Sequence, residues 1–223
     1  PYRRQSEHGA DYAEAYDALD AKGVLYPCFC TKAEIEKTWR RGRDPDGQPL
    51  YPGTCKGLTT VERKRRAASG VAPTLRLDMA RALALAPAEL QWSEFGEGDE
   101  ERMERADPAA WGDAALKRRG AAATYHVAVV VDDHLQGISD VVRGRDLFAA
   151  TSLHRLLQRL LAIEPPRYRH HRLALDPKGE KMSKSAAATP LAELRSQGIS
   201  AMQIRAALGF GGASTARIAL TIS

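Results

Sequence analysis

Two lysines in Lys181-Met182-Ser183-Lys184-Ser185, with Lys178 just ahead, gather ammonium groups and hydroxyls on one short stretch. An apolar run of strand type at residues 173–175 (Leu, Ala, Leu) leads into Asp176-Pro177-Lys178-Gly179. There Asp and Pro set up a turn and Gly supplies backbone freedom. Lysines on such a loop suit a mobile clamp on a polyphosphate. They offset charge that builds on a leaving phosphate, and the loop can close once a nucleotide is bound. The alternative is a solvated basic loop, since lysine is mostly exposed in folded proteins.

A second group is Cys28, Cys30 and Cys55, two thiols in C-x-C and a third returned by a later loop. Soft sulfur ligands in this pattern select zinc, which takes four ligands in a tetrahedron. No histidine lies between Cys30 and Cys55, and position 57 is Gly57. The nearest further donor is Tyr51, whose phenolate oxygen completes a set of four. The alternative is three buried, inert thiols beside a packing tyrosine. A zinc ion here is structural, pinning a loop excursion too small for its own core. An odd number of cysteines argues against a disulfide framework and for metal binding in a reducing cytoplasm.

The elements that position these groups follow from periodicity. Residues 8–22 predict an amphipathic helix with Tyr12, Tyr16 and Leu19 on one face and Gly23 as its stop. Residues 24–26 are a short extended piece leading to Cys28. Thr31 with Glu34, and Thr59 with Glu62, make capping-box patterns for helices running to about Arg41 and Ser69. The second carries Arg63, Lys64, Arg65 and Arg66, either a solvated face or a contact to an RNA backbone. Residues 74–78 alternate as a strand, and residues 80–107 are expected to form a surface excursion. Residues 114–117 predict a strand. Residues 125–131 (YHVAVVV) read as a parallel strand covered on both faces. Asp132, Asp133 and His134 then close it at the carboxyl edge, where open α/β sheets bind ligands. Residues 138–142 are apolar and end in Arg143-Gly144-Arg145-Asp146. Thr151 is expected to cap a helix with Leu153, Leu156, Leu157, Leu160 and Leu161 on its buried stripe. Two short helices are predicted at 190–197 and 200–208. Strands alternating with helices imply an α/β, doubly wound fold.

Composition sets the outer limits. The 223 residues suffice for one sizeable core with a small inserted module. Hydrophobic residues make up 43%, which excludes a disordered chain. No apolar run reaches the roughly 18 residues needed to span a bilayer, so no membrane partner is expected. A formal charge of +5 and a pI near 9.2 fit an anionic partner such as RNA.

These motifs carry a resemblance. The KMSKS string at 181–185 resembles the second signature of the class I aminoacyl-tRNA synthetases. YPCFCT at 26–31, YPGTC at 51–55, YHVAVVVDDHLQGISDVVRGRDL at 125–147 and LALDPKGEKMSKS at 173–185 are similar to the glutamyl class, and most of all to its short glutamyl-Q branch. Val129 stands where the longer enzymes usually have Asn. Tyr51 serves with Cys55 where they commonly have a His two after the last cysteine. Residues 186–223 are expected to be a short helical segment with no anticodon-binding domain.

The resemblance implies a partial Rossmann-like catalytic domain with a small zinc-binding insertion. Residues 1–23 would end the first half of the nucleotide-binding fold and 24–108 would form the zinc-binding and acceptor-type insertion. Residues 109–185 would be the second half with the KMSKS loop. Lys181 and Lys184 would be the catalytic lysines, with Met182, Ser183 and Ser185 completing the ATP-binding loop. Tyr125 and Arg143 would contact glutamate near the carboxyl edge of adjacent strands. Without the resemblance, Tyr125 reads as core rather than ligand, and Arg143 equally as a surface ion pair. Asp132 and Asp133 would hold the sheet edge or help position a ribose. Cys28, Cys30, Tyr51 and Cys55 would hold a structural Zn2+.

The implied reaction is activation of glutamate by ATP with Mg2+ and transfer to queuosine in the anticodon of tRNA(Asp), by a monomer. The alternatives are a truncated glutamyl-tRNA synthetase charging tRNA(Glu), a non-catalytic zinc-stabilised RNA-binding module, and another class I nucleotidyl transferase. The family's HIGH-type signature and first glutamate-binding segment would precede Pro1, so the chain is expected to be a fragment.

Overall fold

Tyr12, Ala15, Tyr16 and Leu19 recur at helical spacing and are all buried, which makes helix α1 (Gly9–Ala21) the first wall of the core. The computed structural model describes residues 4–39, 42–96, 100–175, 181–182, 189–209 and 221–222. They form two compact units, one of residues 1–141 and 148–169, the other of 142–147 and 170–223.

In the first unit, Gly23 at φ +66° ends α1, a backbone conformation costly for any residue with a Cβ. Strand β1 (Leu25–Cys28) follows. It pairs antiparallel with β2 (Thr74–Leu77), Leu25 opposite Leu77 and Cys28 opposite Thr74. β2 in turn pairs antiparallel with β5 (Ala115–Lys117). Residues 29–73 therefore leave and rejoin the sheet at facing positions of one ladder. They carry α2 (Lys32–Thr38) and α3 (Thr60–Ala67), each opened by the predicted capping box. Pro27, which has no N–H to donate, sits on β1 at an edge of this sheet.

Asp113 ties that excursion down. It accepts from the Tyr26 hydroxyl at 2.7 Å and the Met79 N–H at 3.0 Å, and pairs with Lys56 at 3.1 Å. Lys56 also pairs with Asp78 at 2.8 Å, and Asp78 caps α4 (Met79–Leu85) through the Arg81 N–H.

Residues 80–107 are not a surface excursion. After α4 they form the hairpin β3 (Gln91–Phe95) and β4 (Glu101–Arg105), within a sheet of order β4-β3-β7-β6, where β6 is Asp140–Gly144 and β7 is Arg167–His171. Trp92 is 1% exposed and donates to Glu94. The acidic residues masked this, but the strand alternates, with Trp92 and Glu94 inward.

The run at 125–131 is a helix, α5 (Tyr125–Leu135). Periodicity cannot separate a buried strand from a buried helix within seven apolar residues. Strand propensity yields here to packing. Val127, Ala128, Val130 and Val131 make one buried face against α1 and α6 (Ala150–Leu160). Thr124 fixes the helix start by donating from Oγ1 to the Leu116 carbonyl at 2.7 Å. Asp132 consequently lies inside the helix, not at a sheet edge. It is buried and accepts from the Tyr12 hydroxyl at 2.9 and 3.0 Å and from Gln5 at 3.0 Å.

Helix α6 (Ala150–Leu160) buries Leu153, Leu156, Leu157 and Leu160 as expected. It begins from Ala149, and Thr151 is a buried residue within it rather than its cap. Strand β6 (Asp140–Gly144) precedes it and β7 (Arg167–His171) follows. β7 runs parallel to β3, with Tyr168 opposite Glu94. With the 125–131 run helical and a hairpin supplying β3 and β4, the sheets are mixed, and the doubly wound parallel sheet is not what these residues build.

In the second unit, β8 (Ala174–Leu175) pairs antiparallel with β9 (Thr221–Ile222). Helices α7 (Leu191–Ser196) and α8 (Ala201–Ala207) stand where expected. Among the described residues no helix is long and apolar enough to cross a membrane.

Candidate functional site

The three cysteines converge. Cys28 is the inward-facing last residue of β1, Cys30 follows just before the Thr31 cap of α2, and Cys55 returns on a turn closed by the Lys56 N–H to the Gly53 carbonyl. Their sulfurs lie within 4.8 Å of one another, with Cys28 and Cys55 fully buried. Cys30 Sγ is 3.5 Å from Cys55 Sγ and 3.5 Å from the Tyr51 hydroxyl. The Cys55 N–H donates to that hydroxyl at 2.8 Å, and the Phe29 N–H donates to Cys55 Sγ at 3.4 Å. Arg119 secures the knuckle from outside, donating to the carbonyls of Phe29 and Cys30 at 2.7 and 3.0 Å.

Burial raises the Cys30 thiol to about 11. Burial likewise raises the Cys55 thiol, but hydrogen bonds involving Tyr51 and the Phe29 N–H outweigh it, so Cys55 is lowered. Burial, then hydrogen bonds to Cys28, Cys30 and Cys55, push the Tyr51 phenol up. Three sulfurs and one oxygen at these separations fit a tetrahedral soft divalent ion, and the cluster can hold a metal.

Beside the knuckle an open cleft of about 840 Å³ reaches from Cys30 and Tyr51, past Arg76 and Asp113, to Tyr125 and His126. Tyr125 is the first residue of α5, 44% exposed, and not the end of a strand. Its ring meets His126 and His154 edge-on, centroids 5.7 Å away in each case. His126 Nδ1 and His154 Nε2 are 3.1 Å apart, and Trp111 packs edge-on against His126 at 4.9 Å. In the sequence Tyr125 stands out but the His126–His154 pair does not, residue 126 being read as part of the apolar run 125–131.

Arg143 belongs to the second unit. Its Nε–H donates to His170 Nε2 at 3.0 Å. His170 was overlooked, although β7 alternates strictly, with Tyr168 and His170 buried and Arg167 and His171 exposed. Lys181 pairs with Asp146, in the turn after β6, and bridges to Leu175. The Met182 N–H donates to the Ala174 carbonyl at 3.0 Å. Gly144 leaves room for the Asp146 carboxylate in this position, because a Cβ there would meet Asp146 Oδ1. Asp146 was likewise not singled out. Ser183, Lys184 and Ser185, with the turn at 176–179, lie outside the described residues.

On α3, Arg63 donates to the Lys56 carbonyl at 3.3 Å and Arg66 to Cys55 Sγ at 3.7 Å. Lys64 and Arg65 are exposed. Two of the four cations therefore brace the thiol module.

Residues 1–220 match the family described as tRNA synthetases class I (E and Q), catalytic domain. The chain is similar to a glutamyl-Q tRNA(Asp) synthetase of Rhodobacter capsulatus, 36% identical over 94% of this chain and 75% of that protein. A glutamyl-Q tRNA(Asp) synthetase of Symbiobacterium thermophilum is 37% identical, over 88% of this chain and 58% of its own length. A glutamate–tRNA ligase 2 of Alkalilimnicola ehrlichii is also 37% identical, over 89% of this chain and 39% of its own length. The chain thus spans from about two fifths to three quarters of these relatives. Among solved structures, a glutamate tRNA ligase from Elizabethkingia meningosepticum in complex with its amino acid shares the fold. Its TM-score is 0.59 at 23% identity, covering 83% of this chain and 37% of that one.

Proposed function

We propose that this chain, which belongs to the class I (E and Q) tRNA synthetase catalytic-domain family, activates glutamate with ATP and passes it to queuosine in tRNA(Asp). The observation that carries the reading is the family match along residues 1–220, joined by glutamyl-Q relatives at 36% and 37% identity.

In the first step an oxygen of the glutamate α-carboxylate attacks the α-phosphorus of ATP. The bond from that phosphorus to the bridging oxygen breaks, and pyrophosphate leaves. Little covalent work falls to the protein, so positioning and charge stabilisation dominate. Lys181 and Lys184 offset the charge on the departing phosphates, with Met182, Ser183 and Ser185 shaping the loop and Mg2+ entering with ATP. Asp146 holds Lys181 at the foot of that loop. Arg143 meets a carboxylate of the glutamate, a task suited to a planar fork of donors. Tyr125, exposed at the start of α5, contacts the same amino acid. In the second step a hydroxyl of queuosine attacks the activated carbonyl and AMP leaves.

Cys28, Cys30, Cys55 and Tyr51 would hold a structural Zn2+, which when bound supplies a cross-link and no reaction step. On this reading residues 24–108 are the zinc-binding and acceptor-type insertion between the halves of the nucleotide fold, and the enzyme is a monomer.

The test is glutamate-dependent ATP–pyrophosphate exchange by the full-length protein, first without RNA. Exchange without tRNA supports the glutamyl-Q reading. Exchange only with tRNA(Glu) moves the assignment to a glutamate–tRNA ligase, and no exchange in either case leaves an RNA-binding module.

A further inference from the structure

Of the two histidines that end β7, His171 is exposed and His170 is 8% exposed, its Nε2 accepting the Nε–H of Arg143. A guanidinium has donors and no acceptor, so this hydrogen bond runs one way only. The ring must then be neutral, with its proton on Nδ1. A guanidinium has two edges that can grip a carboxylate with paired donors, one formed by Nε and an Nη, the other by both Nη groups. The hydrogen bond to His170 engages the first edge. The second, end-on edge is then the one whose direction His170 sets. A ring held in a sheet also lowers the rotamer entropy lost when a long side chain is fixed on a ligand.

We infer that His170 is a positioning residue: it holds Arg143 so that the guanidinium meets the glutamate carboxylate end-on. This rests on the assignment of Arg143 to glutamate made above. His170 itself touches no substrate. Its partner atom, not its bulk, is what matters, and that separates it from the leucines and valines buried elsewhere.

The test compares full-length wild type with H170A and H170Q in glutamate-dependent pyrophosphate exchange, with thermal unfolding alongside. Removing one oriented hydrogen bond to a charged group raises the KM for glutamate about 10-fold. The KM for ATP stays within about twofold, because only the glutamate contact is disturbed. H170Q, which brings an amide oxygen near the place of Nε2, recovers most of the loss. A purely structural ring would instead lower the active fraction and the Tm together, with no rescue by Gln. Should H170A fail to fold, long-range 15N–1H spectra of the wild type decide the matter, since His170 must show the Nδ1–H tautomer. An unchanged glutamate KM in H170A, equal losses in the Ala and Gln variants, or an Nε2–H tautomer overturns the inference while the glutamate assignment stands. Wild type without exchange under any condition overturns that assignment and the inference with it.

Discussion

Tyr12→Phe isolates the contact on which helix α5, and with it Tyr125, is seated. The Tyr12 ring is 1% exposed and keeps its packing in the variant, so only the hydroxyl is lost. That hydroxyl lies 2.9 and 3.0 Å from the two oxygens of Asp132, a carboxylate 7% exposed. One proton shared between two acceptors counts as a single charge-assisted hydrogen bond, about 1.5–3 kcal/mol. Gln5 still donates to Asp132 at 3.0 Å, so the charge is not wholly stranded, and about 2 kcal/mol is expected. For a chain of this size that lowers Tm by about 4–8 °C. Thermal and urea unfolding of Y12F, D132N and the double variant give the coupling between the two groups, expected to exceed about 1 kcal/mol. A Y12F protein within about 1 °C of wild type, or additive single effects, would refute the pairing as the anchor of α5.

Further consequences are measurable. C28S or C55S should reduce bound zinc from one ion per chain to near none by elemental analysis, with a fall in Tm on chelation in the wild type only; a metal-free native protein indifferent to chelator would dismiss the site. R143K should raise the KM for glutamate by about 10–100-fold, since a point charge replaces a two-donor fork, and leave the KM for ATP unchanged. G144A should cost no more than about 1 kcal/mol in urea unfolding, because the new Cβ displaces only the carboxylate end of Asp146 and frees Lys181 from an exposed ion pair. A larger loss there would mean that the turn itself has to shift. K56M should cost about 1–3 kcal/mol, two nearly buried carboxylates, Asp78 and Asp113, losing their shared cation. The K56M/D113N protein should recover part of that loss.

What the sequence determined by itself was whatever rests on local rules. Capping boxes at Thr31 and Thr59, the stop at Gly23 and the stripe of α6 are each decided by a few neighbouring residues, and each formed where its spacing placed it. Helix ends fell short of expectation at Thr38 and Ala67, since no local residue dictates how far a helix propagates. The thiol cluster was legible too, because C-x-C followed by a returning Cys leaves few ways to satisfy three soft donors. Tertiary structure alone decided the rest. Residues 125–131 carry strand propensity but lie on α1 and α6 as a helix, where a four-residue repeat buries Val127 and Val131 together. Burial of Trp92 places residues 91–95 in a sheet where a surface excursion was expected. The partners of the site residues are the clearest case. His170 for Arg143, Asp146 for Lys181 and the His126–His154 pair beside Tyr125 join positions 27, 35 and 28 residues apart. Such contacts exist only after the chain has paid the entropy of closing those loops, and no periodicity within either partner's own segment records them.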